Sequence, residues 1–266
     1  MKSISNAIGF FDSGVGGTSI WKEVIALLPN ENTIYLSDSK NAPYGEKSTE
    51  EIVALCKKNT AFLLQKDCKL IVVACNTATT NAIEYLRTHY NIPFIGIEPA
   101  IKPAALITKT NTIGILATKG TLNSNLFEKT SSNIRKKIQI KETIGKGLVE
   151  LIEGGKLHSK EMTTLLTSFL KPMISKNIDS LVLGCTHYPY LIPQIRAIVG
   201  DRIQIIDSGE AVAKQTKAIL SKHHLLNTDK NYVPQHEIFI NKEKTSLENL
   251  LKTIEGKKIC ITEKDF

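Results

Sequence analysis

Short apolar runs alternate with longer stretches of helical spacing along almost the whole chain. Runs that are brief, rich in β-branched residues and nearly continuous in apolar character read as buried parallel strands. They are expected at residues 7–11, 33–36, 70–74 and 93–97, and again at 112–117, 137–142, 180–184 and 204–206. Helical segments lie between them. Ser48 and Glu51 have the spacing of a capping box at the start of one helix. Others are expected at 77–90, 148–153 and 160–176, the last bent at Pro172. After Asp207 come a helix (210–222), a polar stretch (227–234), a strand (237–240), a helix capped by Thr245 with Glu248, and a strand at 258–262. This alternation predicts an α/β fold with mainly parallel sheets.

The pattern repeats. Ile8-Gly9-Phe10-Phe11-Asp12-Ser13 is echoed by Ile113-Gly114-Ile115-Leu116-Ala117-Thr118. Leu70-Ile71-Val72-Val73-Ala74-Cys75-Asn76-Thr77 is echoed by Leu181-Val182-Leu183-Gly184-Cys185-Thr186-His187. A duplication of roughly 105–110 residues accounts for both echoes. It divides the chain into a first α/β domain, 1–97, and a second, 98–207, with 208–266 returning to the first.

The second echo carries the candidate chemistry. Cys75 and Cys185 each follow a buried strand and precede a helix, where α/β sheets place ligands and where free N–H groups favour a thiolate. Singly, each would read as a small packing group. As a pair in matching places, they read as two thiol acid/base groups facing one site. Cys56, Cys68 and Cys260 lack that setting and read as packing residues. The odd total and the spacings fit neither a disulfide scaffold nor a zinc site. Asp12-Ser13-Gly14-Val15-Gly16-Gly17 joins a strand to a helix, and its glycines would let backbone approach a ligand. It has neither dinucleotide spacing nor a P-loop lysine. Asp12 could be a helix cap or a catalytic group. Pro43-Tyr44-Gly45 reads as a turn or as a rim contact to a small polar ligand. His187, two residues after Cys185, could orient or deprotonate a nearby acid.

Composition narrows the classes. No apolar run approaches the roughly 20 residues of a membrane span, and the first residues lack the apolar core of a signal peptide. A cytoplasmic protein is expected. The net charge of +8 admits nucleic acid as a partner, but only Arg87, Arg135, Arg196 and Arg202 are arginines and the lysines are scattered. A solvated basic surface without a nucleic-acid partner is the expectation.

With these motifs in place, the chain resembles the glutamate racemases, cofactor-independent bacterial enzymes that supply D-glutamate for peptidoglycan. The resemblance rests on residues 12–17, Pro43-Tyr44-Gly45, Ala74-Cys75-Asn76-Thr77-Ala78-Thr79, Ala117-Thr118-Lys119-Gly120-Thr121 and Gly184-Cys185-Thr186-His187-Tyr188-Pro189, in family order. Aspartate racemases typically carry His near the first cysteine motif and Glu after the second Cys-Thr. Thr79 and His187 stand there, which favours glutamate.

The resemblance implies two pseudo-symmetric α/β domains with the site between them. It also implies that Cys75 takes the α-proton from D-glutamate and Cys185 from L-glutamate. Asp12 would assist Cys75, and His187 would assist Cys185. Glu153 matches a family carboxylate near the second cysteine, with Glu150 competing for that place. Ser13, Asn76, Thr77, Thr118 and Thr186 would hold the substrate, helped by backbone N–H groups at helix starts. Pro43, Tyr44 and Gly45 would line its rim. No cofactor or metal is expected, and the implied assembly is a homodimer. The rivals are another two-cysteine racemase for aspartate or a hydantoin, a Cys185/His187 hydrolase that leaves Cys75 idle, and a nucleic-acid-linked regulator.

Overall fold

The computed structural model describes residues 2–252, 254 and 256–266. Its strands are β1 (Ile8–Asp12), β2 (Thr33–Ser37), β3 (Leu70–Val73), β4 (Phe94–Gly96) and β5 (Thr112–Ala117). They continue with β6 (Gln139–Ile144), β7 (Ser180–Gly184), β8 (Gln204–Ile206), β9 (His236–Ile240) and β10 (Ile259–Glu263). All strand pairs are parallel.

They form two sheets, ordered β10-β9-β2-β1-β3-β4 and β6-β5-β7-β8. The first four strands in chain order run 2-1-3-4 in the first sheet, and the second sheet repeats that order with every number raised by four. The duplication read from the sequence is therefore also a duplication of topology. The C-terminal strands do return to the first sheet: β9 pairs with β2, with His236 opposite Thr33, and β10 pairs with β9. One continuous apolar cluster joins the sheets, from Ile8, Phe10 and Val72 across Leu148 and Ile152 to Leu181, Leu183 and Tyr188. Among the described residues no helix is long and apolar enough to cross a membrane.

Several local expectations shift. The strand expected at 137–142 runs from Gln139 to Ile144. Most of that edge strand is exposed or half-buried, so apolar pattern fixes its ends weakly. Thr245 does not cap its helix. It is the first helical residue, and its backbone N–H and hydroxyl both turn back to Glu243. Cys260 is exposed on β10 rather than packed, whereas Cys56 and Cys68 are buried. Helices at Ile101–Ile107 and Asn125–Arg135 escaped the apolar reading because each buries only two side chains. The Ser48–Glu51 capping box is present in full, and Pro172 lies inside the helix Lys160–Ile174.

Candidate active site

The two cysteines occupy matching places. Cys75 follows β3 and caps the helix Asn76–His89; its sulfur accepts the Ala78 N–H at 3.4 Å and faces Ser13 Oγ at 3.8 Å. Cys185 follows β7, with its sulfur 3.7 Å from Nδ1 of His187. Both line one small, nearly closed cavity of about 10 Å³. Ser13, Pro43, Tyr44, Gly45, Asn76 and Thr77 complete the wall from the first-sheet side. Thr118, Val149, Thr186 and His187 complete it from the second. Asp12 and Glu153 stand behind this wall, each touching residues that form it.

Asn76 is the one lining residue whose side chain is left open. It is 2% exposed, yet neither its amide oxygen nor its nitrogen has a partner among the described residues. Buried amides are ordinarily hydrogen-bonded, so this one stands out among the residues of the wall. The two sides of the wall meet where Thr77 Oγ1 lies 2.8 Å from Thr118 Oγ1. A Cβ on Gly45 would come within 3.0 Å of the Thr118 side chain.

The glycine-rich turn does something other than cradle a ligand. Gly14 and Gly17 donate their N–H groups to Asp12 Oδ2, at 3.3 and 2.8 Å. Val15 donates to Glu153 Oε1 at 2.7 Å, and the Gly16 N–H faces His187 Nε2 at 3.2 Å. A Cβ on Gly14 would lie 1.9 Å from Glu153 Oε1, and one on Gly16 would lie 2.2 Å from His187 Nδ1. The anions held by this turn are thus the chain's own Asp12 and Glu153 carboxylates. The expectation that these amides would serve a substrate is corrected for Gly14, Val15 and Gly17, which are already engaged.

Glu153 Oε1 lies 2.6 Å from His187 Nε2, and Oε2 accepts from Ser39 Oγ at 2.9 Å. Glu150, its competitor in the sequence, is exposed and is not among the residues lining the cavity. Asp12 is fully buried, and the Thr186 hydroxyl reaches its other oxygen at 3.4 Å.

These contacts set the charges. Burial pushes the Asp12 carboxyl up, against the pull of His187 and the Gly17 N–H. Burial, and after it the Asp12 charge, push the Cys75 thiol well up, despite the Ala78 N–H. Burial opposes charge on His187, but its bonds to Cys185 and Glu153 outweigh that and hold its pKa well above the usual imidazole range. These directions favour the thiol form of Cys75 and the protonated form of His187.

Three residues escaped the sequence reading. Val149 lines the cavity from the buried face of the helix Leu148–Glu153. Asp38 accepts from Tyr44 Oη at 2.5 Å, and from the amides of Asn41 and Asn241, fixing the rim loop against the end of β9. Ser39 holds Glu153. For Val149 the burial period of its helix was an available signal. For Ser39 the partner Glu153, and for Asp38 the partner Asn241, lie too far along the chain.

The profile of the family described as Asp/Glu/Hydantoin racemase matches residues 17–216. The chain belongs to that family. Within this racemase family it is 46% identical to the glutamate racemase of Herpetosiphon aurantiacus over 220 residues, covering 83% of this chain and 87% of the relative. Among solved structures, a glutamate racemase isoform from Bacillus anthracis superposes with a TM-score of 0.87 at 33% identity, with 98% of each chain covered. The Escherichia coli glutamate racemase, solved with L-glutamate and the activator UDP-MurNAc-Ala, gives 0.82 at 32% identity, covering 96% of this chain and 97% of its own. The two-sheet racemase architecture described above is thus that of glutamate racemases.

Proposed function

We propose that the protein interconverts L- and D-glutamate by two-base proton transfer between Cys75 and Cys185. The observation that supports this most is the meeting of two topologically equivalent cysteines, one from each sheet, in one small cavity. Inversion at carbon requires removal of a proton from one face and delivery to the other. Two thiols on opposite walls supply both. Cys185 takes the α-proton of L-glutamate, and Cys75, held as a thiol, returns one to the opposite face. In the D-to-L direction the roles exchange. His187 and Glu153 serve the proton balance at Cys185, and Asp12 serves it at Cys75. The open Asn76 amide, with Ser13, Thr77, Thr118 and Thr186, holds the substrate's charged groups. Tight enclosure strengthens those bonds where carbanion charge develops.

On this reading residues 1–97 with 208–266 form one lobe and 98–207 the other, and they close on substrate. Glutamate is the substrate because the relatives named above are glutamate racemases and because Thr79 and His187 stand where the aspartate pattern differs. The product serves peptidoglycan synthesis in the cytoplasm, and the working assembly is a homodimer.

The test is circular dichroism of L-glutamate and D-glutamate incubated separately with the purified protein. Decay of both signals toward zero without added cofactor is the expected result. Serine at position 75 or at 185 should then lower kcat/KM by about 10²-fold or more. An unchanged signal from folded protein would overturn the glutamate reading, and activity spared by Cys75→Ser would turn attention to Cys185-His187 hydrolysis.

A further inference from the structure

We propose that Ser39 is a positioning residue for proton transfer at Cys185, acting through Glu153 and His187 across the boundary between the two sheets. Ser39 lies just after β2, in the short turn Ser39–Asn41, and is 3% exposed. Glu153 is the last residue of its helix, followed by Gly154 and Gly155. A glutamate carboxylate rotates broadly about its terminal bond, so a fixed orientation needs partners on both oxygens. Val15 N–H supplies one, on Oε1. The Ser39 hydroxyl supplies the other, on Oε2 at 2.9 Å.

The direction of the chain follows from donor count. A carboxylate only accepts, so Ser39 gives it its proton and must itself accept from Ser37 Oγ, 3.0 Å away. The line then runs from Glu153 Oε1 to His187 Nε2 at 2.6 Å, and from Nδ1 to Cys185 Sγ at 3.7 Å. Ser39 does not cap its own turn: the residue at that position is Asp38, and no side chain bonds there. The hydroxyl is therefore committed to Glu153. Removing it frees the carboxylate to swing, and His187 loses the partner that fixes its ring against the sulfur. Ser39 does not line the cavity, so substrate binding has no direct stake in it.

This rests on the racemase reading above, and the experiment separates the two. Wild type, Ser39→Ala, Ser39→Thr, Glu153→Gln and the Ser39→Ala/Glu153→Gln double variant are assayed in both directions, with glutamate protiated or deuterated at the α-carbon. Ser39→Ala should lower kcat about tenfold with little change in KM, as expected for a lost hydrogen bond to a charged group. Ser39→Thr, which keeps the hydroxyl, should recover much of that loss. Enantiomers are equal in energy, so kcat/KM must fall equally in both directions. The isotope effect need not: it should rise with L-glutamate, whose proton goes to Cys185, and fall with D-glutamate. The double variant should be no worse than Glu153→Gln alone. A Ser39→Ala enzyme with wild-type rates, a loss with both isotope effects unchanged, or fully additive losses would overturn the role of Ser39 while leaving the racemase reading intact. Absence of turnover in the folded wild type would overturn the reading beneath it.

Discussion

At Gly14 and Gly16 one added carbon decides between a working site and a merely folded one. At Gly14 the Cβ would collide with the carboxylate end of Glu153, and at Gly16 with the buried ring of His187 down to its Cγ, both from the other half of the molecule. Side-chain ends can move aside where backbone cannot, so at Gly14 the cost falls on the arrangement more than on the fold. Alanine at 14 should leave the melting temperature within a few degrees of wild type yet lower kcat/KM at least about tenfold, as expected when a positioned partner is displaced, whereas alanine at 16 should lower both. Thermal melts run beside the racemisation assay would check both halves of that statement. The residue types at the wall were legible in the sequence, because Cys75, Asn76, Cys185 and His187 sit at strand ends where α/β sheets present ligands. The purpose of the glycines was not. Val15 and its acceptor Glu153 are 138 residues apart, and local pattern carries no trace of such a pairing.

Between elements, the seam of β2 with β9 has a titratable lock. His236 lies opposite Thr33, and its Nδ1 is 2.8 Å from Thr33 Oγ1, which also receives the Trp21 indole N–H at 2.9 Å. The hydroxyl still has its own proton to give, which a neutral Nδ1 can accept. Burial, and then Lys257, push its pKa down to about 4. The folded state therefore binds this proton less tightly than the unfolded chain, whose ordinary value is near 6.5. Its contribution to stability is complete above that value and is lost as pH falls through about 4, to the extent of about 2–3 kcal/mol. Urea unfolding at about pH 7, 5.5 and 4.5 should show the decline, and His236→Asn should flatten it even if less stable throughout. Legibility at this scale followed burial. Strands buried on both faces announced themselves, to within a residue or two. Helices with few buried side chains, such as Asn125–Arg135, and the half-exposed β6 left little periodicity to read.

Across the whole molecule, distant stretches are stitched by a buried ion pair. Lys69 and Glu31 are 0% and 1% exposed and 2.6 Å apart. The Lys69 ammonium also donates to the carbonyls of Ile4 and Leu225, and Glu31 accepts the Asn227 N–H. The N-terminal segment, the start of β3 and the chain leaving the helix Gly209–Lys222 all converge there. Burial pushes Glu31 up and Lys69 down, each toward its neutral form, so neither charge is comfortable without the other. Lys69→Met should cost about 3–5 kcal/mol by stranding a buried carboxylate, and the paired change with Glu31→Leu should recover most of it. Denaturant midpoints for the single and double variants would measure the difference. The doubled architecture itself was readable, since two separate motifs recurring at one offset are what a duplicated half leaves behind. That the tail extends the first sheet was suggested only by its apolar strands, and the side of attachment by nothing local.

That attachment has a consequence for the growing chain. Synthesis delivers β1 to β4 first, then all four strands of the second sheet, and only afterwards β9, which covers β2, and β10 beside it. Until residues 236–240 emerge from the ribosome, β2 is an open edge with a row of unpaired amides and carbonyls, while its neighbour sheet is already complete. The half that begins first is finished last.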